Sequence, residues 1–387
     1  MTAPGLYLHV PFCSRICPYC DFAVRTARPE RRERFVELLL REIELNRGKL
    51  LGVDTIYFGG GTPSSLTPDQ LGRILQAIDS HLVSVGKTRI FLEANPQDVS
   101  GDSLRAWRTL GVGTLSLGVQ SFEDAALVFL GRKHDAEQAR RSVQLAREAG
   151  FQTVSLDLIY GLPGQSPADW RSNLEEAVRL APDHISCYQL TLHQGTYFGR
   201  QKARGRLQEI SEDQQAEFFD LTHRFLAEAG YPGYEASNFA RSADQQSRHN
   251  RKYWDHTAYL GLGPSAHSFA DNHRWWNFRR LETWEEKLAA GEPPVEAGET
   301  LGPGELGLET LMLGFRTYRG VDLRRFRARF GFDLLETSAS LIERLQDQRL
   351  LCLEDGRLKP TIAGLAIADR LALSFDLAPL APSPARS

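Results

Sequence analysis

Residues 7–22 read Tyr7-Leu-His-Val-Pro-Phe-Cys13-Ser-Arg-Ile-Cys17-Pro-Tyr-Cys20-Asp-Phe22, a short apolar run that ends in three closely spaced cysteines. Three thiols cannot pair off, and a reduced intracellular chain does not keep disulfides, so a disulfide reading fits poorly. A structural zinc site would bring a second Cys or His pair at comparably tight spacing, and the sequence has none. Three thiolates on one loop can instead hold three irons of a cubane iron–sulfur cluster. The fourth iron then stays open, as a reactive metal site requires. The remaining cysteines, Cys187 and Cys352, stand alone in apolar surroundings and read as small buried hydrophobes.

The run before Cys13 is the first of six strand candidates, at 6–10, 55–58, 89–94, 114–117, 153–159 and 184–192. Helical patterns at 33–46, 68–81, 101–110, 135–149, 167–180 and 212–229 follow them in turn. The strands recur about every 36 residues, the pitch of a βα unit, which predicts a parallel sheet. The fold class is α/β, a partial (βα)6 barrel over 1–235. A connecting segment follows over 236–298, with Gly291–Gly298 read as a linker, and then a smaller helical, winged-helix-like C-terminal domain over 299–376. Residues 377–387, rich in Ala, Pro and Ser from about Ala378, read as a disordered tail.

Barrels of this kind carry their chemistry at the C-terminal ends of the strands, and the candidate motifs fall there. The cysteine loop follows strand one. Gly59-Gly60-Gly61-Thr62-Pro63 follows strand two, where glycines admit close backbone approach and Thr62 could cap the next helix. Glu93, in Glu93-Ala-Asn-Pro96, offers a carboxylate suited to ribose hydroxyls. Gln120, in Gly118-Val-Gln-Ser-Phe122, ends strand four, and Arg132 follows one helix later. Asp157 is a carboxylate inside an apolar strand, costly to bury unless it is paired or bound to a ligand.

Together these motifs resemble the radical S-adenosylmethionine enzymes, and more narrowly the group holding oxygen-independent coproporphyrinogen III oxidase (HemN) and the HemW haem chaperones. The Tyr234-Glu-Ala-Ser-Asn-Phe239 run adds to the likeness. The resemblance implies that Cys13, Cys17 and Cys20 ligate a [4Fe–4S] cluster. It also implies that Tyr7, Tyr19, Gly60, Gly61, Thr62, Glu93, Gln120, Arg132 and Asp157 contact S-adenosylmethionine. Two departures separate the branches. The oxidase has a fourth cysteine where this chain has Phe22, and a long N-terminal cover where only six residues precede Tyr7. Both favour the HemW branch. Its members are understood to carry haem to haem-requiring membrane proteins such as respiratory subunits, and the cluster calls for a reductant. The alternative is an enzyme of porphyrin biosynthesis that decarboxylates coproporphyrinogen III.

His249-Asn-Arg-Lys-Tyr-Trp254 resembles the His-Asn-x-x-Tyr-Trp signature that the HemW branch associates with haem. Eight aromatics fall between Tyr253 and Trp284, with His256, His267 and His273 among them. These aromatics either wall a porphyrin or seal the open side of the barrel. His249 is accordingly either a haem contact or a hydrogen-bonded core residue.

Composition narrows the partners. The net charge of −3 over 387 residues supplies no field for nucleic acid. The C-terminal segment from 301, with 12 basic and 11 acidic residues, lacks a phosphate-binding footprint. Arg324, Arg325, Arg327 and Arg329 read as a solvated helix face. No apolar run approaches the roughly 18–20 residues of a membrane span, and no secretion signal opens the chain. The expectation is a cytoplasmic protein, peripheral at the membrane at most, with homodimerisation left open.

Overall fold

The computed structural model describes residues 3–49, 52–81 and 84–377. Six strands, β1 (Gly5–Val10), β2 (Val53–Gly60), β3 (Ser84–Ala94), β4 (Val112–Gln120), β5 (Thr153–Tyr160) and β6 (His184–Gln189), pair in parallel and in chain order. Side chains alternate across the pleat, so Leu6, Leu8 and Val10 point out to the helices while Tyr7 and His9 point in. The outer layer is α1 (Pro29–Leu45), α2 (Pro68–His81), α3 (Gly101–Thr109), α4 (Asp124–Phe129), α5 (Ala136–Glu148) and α6 (Pro167–Arg179). In α6 a capping box between Ser166 and Asp169, with Pro167 in the first turn, starts the helix. Trp170, Leu174 and Ala177, at helical spacing, then bury against the sheet.

The barrel does not close. The chain continues through α7 (Tyr197–Ala203) and α8 (Glu212–Glu228) to β7 (Asn238–Ala240), which pairs antiparallel with β6. The short α9 (Asn250–Trp254) leads to β8 (Tyr259–Leu262), which pairs parallel with β1 on the opposite edge. β9 (His267–Ala270), β10 (His273–Asn277) and, after α10 (Leu281–Ala289), β11 (Val295–Thr300) extend the sheet antiparallel to eleven strands. Sequence reading expected β1 to β6 and missed β7 to β11. The stretch expected as a linker, 291–298, runs into β11, all six residues of which are exposed.

A buried carboxylate fastens this extension to the barrel. Glu42 of α1, 1% exposed, accepts from the Gly263 amide at 2.8 Å, Asn277 Nδ2 at 2.6 Å and Trp284 Nε1 at 3.2 Å. Trp284 is itself fully buried against Phe35.

The C-terminal region comprises α11 (Pro303–Phe315), β12 (Val321–Asp322), α12 (Leu323–Phe330), α13 (Leu334–Thr337), α14 (Ala339–Asp347), β13 (Leu351–Glu354), β14 (Arg357–Pro360), α15 (Ile362–Ala366) and α16 (Ala368–Leu373). It has its own core and a three-stranded sheet ordered β12-β14-β13. The helical stretches 334–347 and 362–373 each break in two, at Ser338 and Ile367, where the backbone leaves the helical region. The four arginines lie on α12, and Arg327 reaches Asp333 at 2.6 Å. Tyr318 meets His223 of α8 at 2.9 Å and the Arg316 carbonyl accepts from the Ala236 amide, which ties this region to the barrel. The tail from Ala378 lies outside the described residues. Among those residues no helix is long and apolar enough to cross a membrane.

Burial raises the Glu42 carboxyl from 4.5 to about 7. Between those values the folded state binds the extra proton, so this residue's contribution to stability falls as pH rises through the window. Chemical unfolding at pH 5 and pH 8 should show Glu42→Gln flattening that slope. Glu42→Ala, which orphans three donors, should cost roughly 3 kcal/mol.

Candidate functional site

The cysteine loop is an excursion pinned at its base. Cys13 N donates to Arg25 O at 2.9 Å and Arg25 N to Pro11 O at 2.8 Å, so the loop leaves and rejoins the barrel at one place. Its tip is held as well. Pro18 O accepts from Phe198 N at 2.9 Å, and the ring of Pro18 lies where a Cβ on Gly131 would sit. Cys13, Cys17 and Cys20 are half-buried and line one cavity of about 490 Å³ at the barrel mouth.

Among the described residues no three His, Cys, Asp or Glu side chains converge on a single metal ion. A cubane cluster asks for something else, thiolates spread around a larger body, and the surroundings fit one. Thr62 Oγ1 donates to Cys13 Sγ at 3.5 Å and Arg132 Nη1 to Cys17 Sγ at 3.5 Å, the kind of hydrogen bond that stabilises ligating sulfur. A Cβ on Gly61 would stand 3.0 Å from Cys13 Sγ, so glycine keeps the cradle open. Burial pushes the Cys13 thiol up and that of Cys20 up to about 11, so iron binding displaces protons.

The rest of the cavity is built for a charged, hydroxylated ligand. Glu93 and Asp157, from β3 and β5, both face it. Glu93 accepts from Tyr57 OH at 2.8 Å, and Asp157 from Ser116 at 3.1 and 3.2 Å. Burial, with Asp157 adding to it, lifts Glu93 to about 7; burial lifts Asp157 to about 6 against the pull of its Ser186 and Ser116 bonds. A cationic or donor-rich ligand bound beside them would favour the ionised form of both, with their protons lost to solvent. Arg132 is anchored to Asn95 Oδ1 and to Gly118 O at 2.8 Å, while its buried Nε has no partner. Gln120 sits at φ +66°, a left-handed conformation that costs energy in a non-glycine residue and turns its amide into the cavity.

Tyr19, Gly60, Gly61, Thr62, Glu93, Gln120, Arg132 and Asp157 therefore share one cavity with the three cysteines. Tyr7 stands behind it, stacked on Tyr57 with centroids 6.1 Å apart and bonded to His9. Thr62 does not cap a helix. Its hydroxyl bridges Asn95 and Cys13 and makes no cap bond to the 3₁₀ turn at 63–65. His249 is 1% exposed inside the barrel, with Nδ1 at 3.0 Å from Thr55 and Nε2 at 2.9 Å from Tyr253 OH. Both ring nitrogens are thus engaged, and burial lowers its pKa to about 3. Cys187 is buried as expected, whereas Cys352 is half-buried with its thiol on Lys359 O.

Three participants escaped the sequence reading: Asn95, which joins Thr62 to Arg132, Tyr57 and Ser116. Asn95 lies within the Glu93-Ala-Asn-Pro96 motif, so its signal was present. Tyr57 and Ser116 are legible only from inward alternation along β2 and β4.

Comparison with known proteins agrees with this geometry. Residues 7–177 match the radical SAM superfamily and residues 301–367 the HemN C-terminal domain. The heme chaperone HemW of Mycobacterium tuberculosis is 37% identical over 329 residues, covering 84% of each chain. That of Lactococcus lactis is 34% identical over 95% of this chain and 96% of its own. Coproporphyrinogen III oxidase (HemN) from Escherichia coli superposes with a TM-score of 0.84 at 23% identity, over 97% of this chain and 90% of that one.

Anaerobic reconstitution with iron and sulfide should give visible charge-transfer absorbance that Cys17→Ser abolishes. Asn95→Ala should retain the cluster but lower its midpoint potential, because Thr62 and Arg132 lose the residue that aims them at sulfur. Potentiometric titration followed by electron paramagnetic resonance checks this, and an unchanged potential would remove Asn95 from the network.

Proposed function

The chain belongs to the HemW family of radical SAM proteins, and from that membership we propose that it is a haem chaperone. It would bind haem beside a [4Fe–4S] cluster and S-adenosylmethionine, and pass haem to haem-requiring proteins. Identity of 37% to a HemW chaperone over most of both chains carries this reading. Phe22, in place of the oxidase's fourth cysteine, supports it.

Cys13, Cys17 and Cys20 would hold the cluster. When bound, the cluster supplies its open iron and the electron for reductive cleavage of S-adenosylmethionine. The other side chains position that ligand. Arg132, on the cavity wall, suits the methionine carboxylate, and the Gly60–Gly61 backbone admits close approach. Glu93 and Asp157 accept from ribose hydroxyls and balance the ligand's positive charge. A cellular reductant for the cluster and membrane-bound respiratory acceptors of haem are the partners this role requires.

Cluster-loaded protein should bind haem stoichiometrically and leave coproporphyrinogen III unchanged when given S-adenosylmethionine and reductant. Formation of protoporphyrinogen at an enzymatic rate would replace this reading with the oxidase. Affinity for S-adenosylmethionine should fall roughly tenfold or more from pH 8 to pH 5.5, as Glu93 and Asp157 take up protons through about 7 and about 6. Calorimetry at both pH values should find most of this dependence lost in Glu93→Gln.

A further inference from the structure

His193 sits in the loop after β6, at the barrel mouth beside the cysteine loop, and lines the same cavity. Its side chain is 49% exposed. The Asp21 carboxylate stands 3.7 Å from Nδ1. A carboxylate behind one ring nitrogen fixes the tautomer and leaves the other nitrogen free as a metal ligand. The backbone is rigid here, since His193 O accepts from both the amide and the hydroxyl of Thr196. That carbonyl also lies 2.0 Å from where a Cβ on Gly199 would be, so only glycine fits against it.

The other histidines lack this combination. Among the described residues, the only other one on the cavity lining is His184, which gives both nitrogens to Ser155 and Tyr234. His267 and His273 are exposed but lie on the extended sheet, stacked on Trp276 and Trp275 and away from the cavity.

The mouth around His193 is apolar and aromatic with cations beside it. Phe22, 62% exposed, and Tyr188, 43% exposed, both line the cavity. An exposed Phe beside a concave site marks a contact surface rather than core packing. Arg15 lines the same mouth, and Arg279 donates to Asp21 O at 2.5 Å. A flat apolar ring carrying iron and two carboxylates answers each of these groups.

We propose that haem docks over the barrel mouth with His193 Nε2 as an axial ligand to its iron, Phe22 against the porphyrin, and Arg15 and Arg279 near its propionates. This rests on the haem-chaperone reading and adds the place and the ligand. It sets haem iron at the same cavity as the cysteine loop.

The test is titration of cluster-loaded protein with ferric haem, followed by the Soret band and by electron paramagnetic resonance. His193→Ala and His193→Gln should each weaken binding about tenfold or more and lose the histidine-ligated signature. Free imidazole should restore that signature in His193→Gly. Phe22→Ala should weaken binding with the ligation signature intact. Cluster absorbance, to which His193 contributes no ligand, reports that each variant is folded. If the unmodified protein takes up no haem, the chaperone reading itself fails. If it binds haem and both His193 variants match its affinity and spectra, only the ligand assignment is overturned.

Discussion

Six parallel strands are too few to close a βα barrel, and this constraint organises the molecule. An open barrel leaves two unpaired strand edges and an interior too wide for its own side chains to fill. The chain covers the edges differently. β7 turns back along β6, whereas β8 joins β1 in parallel and carries three further strands outward. α9 brings His249 and Tyr253 into the interior, where they pack against Tyr7 and Tyr57. What stays open is the C-terminal end, and the cysteine loop, Glu93, Asp157 and Arg132 face that opening. The cavity is the space that incomplete closure leaves.

The carboxylates of that cavity are buried at a cost that their hydrogen bonds only partly offset, since burial still lifts both. Glu93 is held by the Tyr57 hydroxyl and the Gly60 amide, Asp157 by Ser116 and Ser186, and the buried Arg132 Nε has no partner. Such an arrangement costs stability in the empty protein and is compensated by a ligand of opposite pattern. Arg132 bonds Cys17 Sγ and also lines the cavity. Asn95 couples it to Thr62 and so to Cys13. Cluster and cofactor environments are therefore one hydrogen-bonded unit, in which displacing any member moves the others.

Much of this could be read from the chain because the informative residues are local. Cysteine spacing, a triple glycine and strand-end carboxylates need no tertiary knowledge, and β1 to β6 announce themselves as apolar runs that the parallel sheet buries on both faces. The strands beyond residue 237 did not, because they are short and antiparallel, and β11, Val295-Glu-Ala-Gly-Glu-Thr300, has the composition of a loop. Its partner β10 ends at Asn277, which is held by Glu42, 235 residues earlier in the chain. Thr62 and His249 show the same limit at the level of single residues. The Thr62 hydroxyl is taken by Cys13 and Asn95, 49 and 33 residues away, and His249 Nδ1 by Thr55, 194 residues away, partners that no local pattern reveals.

The extended sheet has a further consequence for how copies of the chain meet. β11 ends the sheet with a full row of solvent-facing residues, and an unguarded strand of this kind templates aggregation. Glu296 and Glu299 sit on it. Two copies aligned along this strand would set like charges against one another, while Arg274 of the neighbouring strand already holds Glu299 within the fold. Like charges facing across this edge would disfavour pairing of two copies along it.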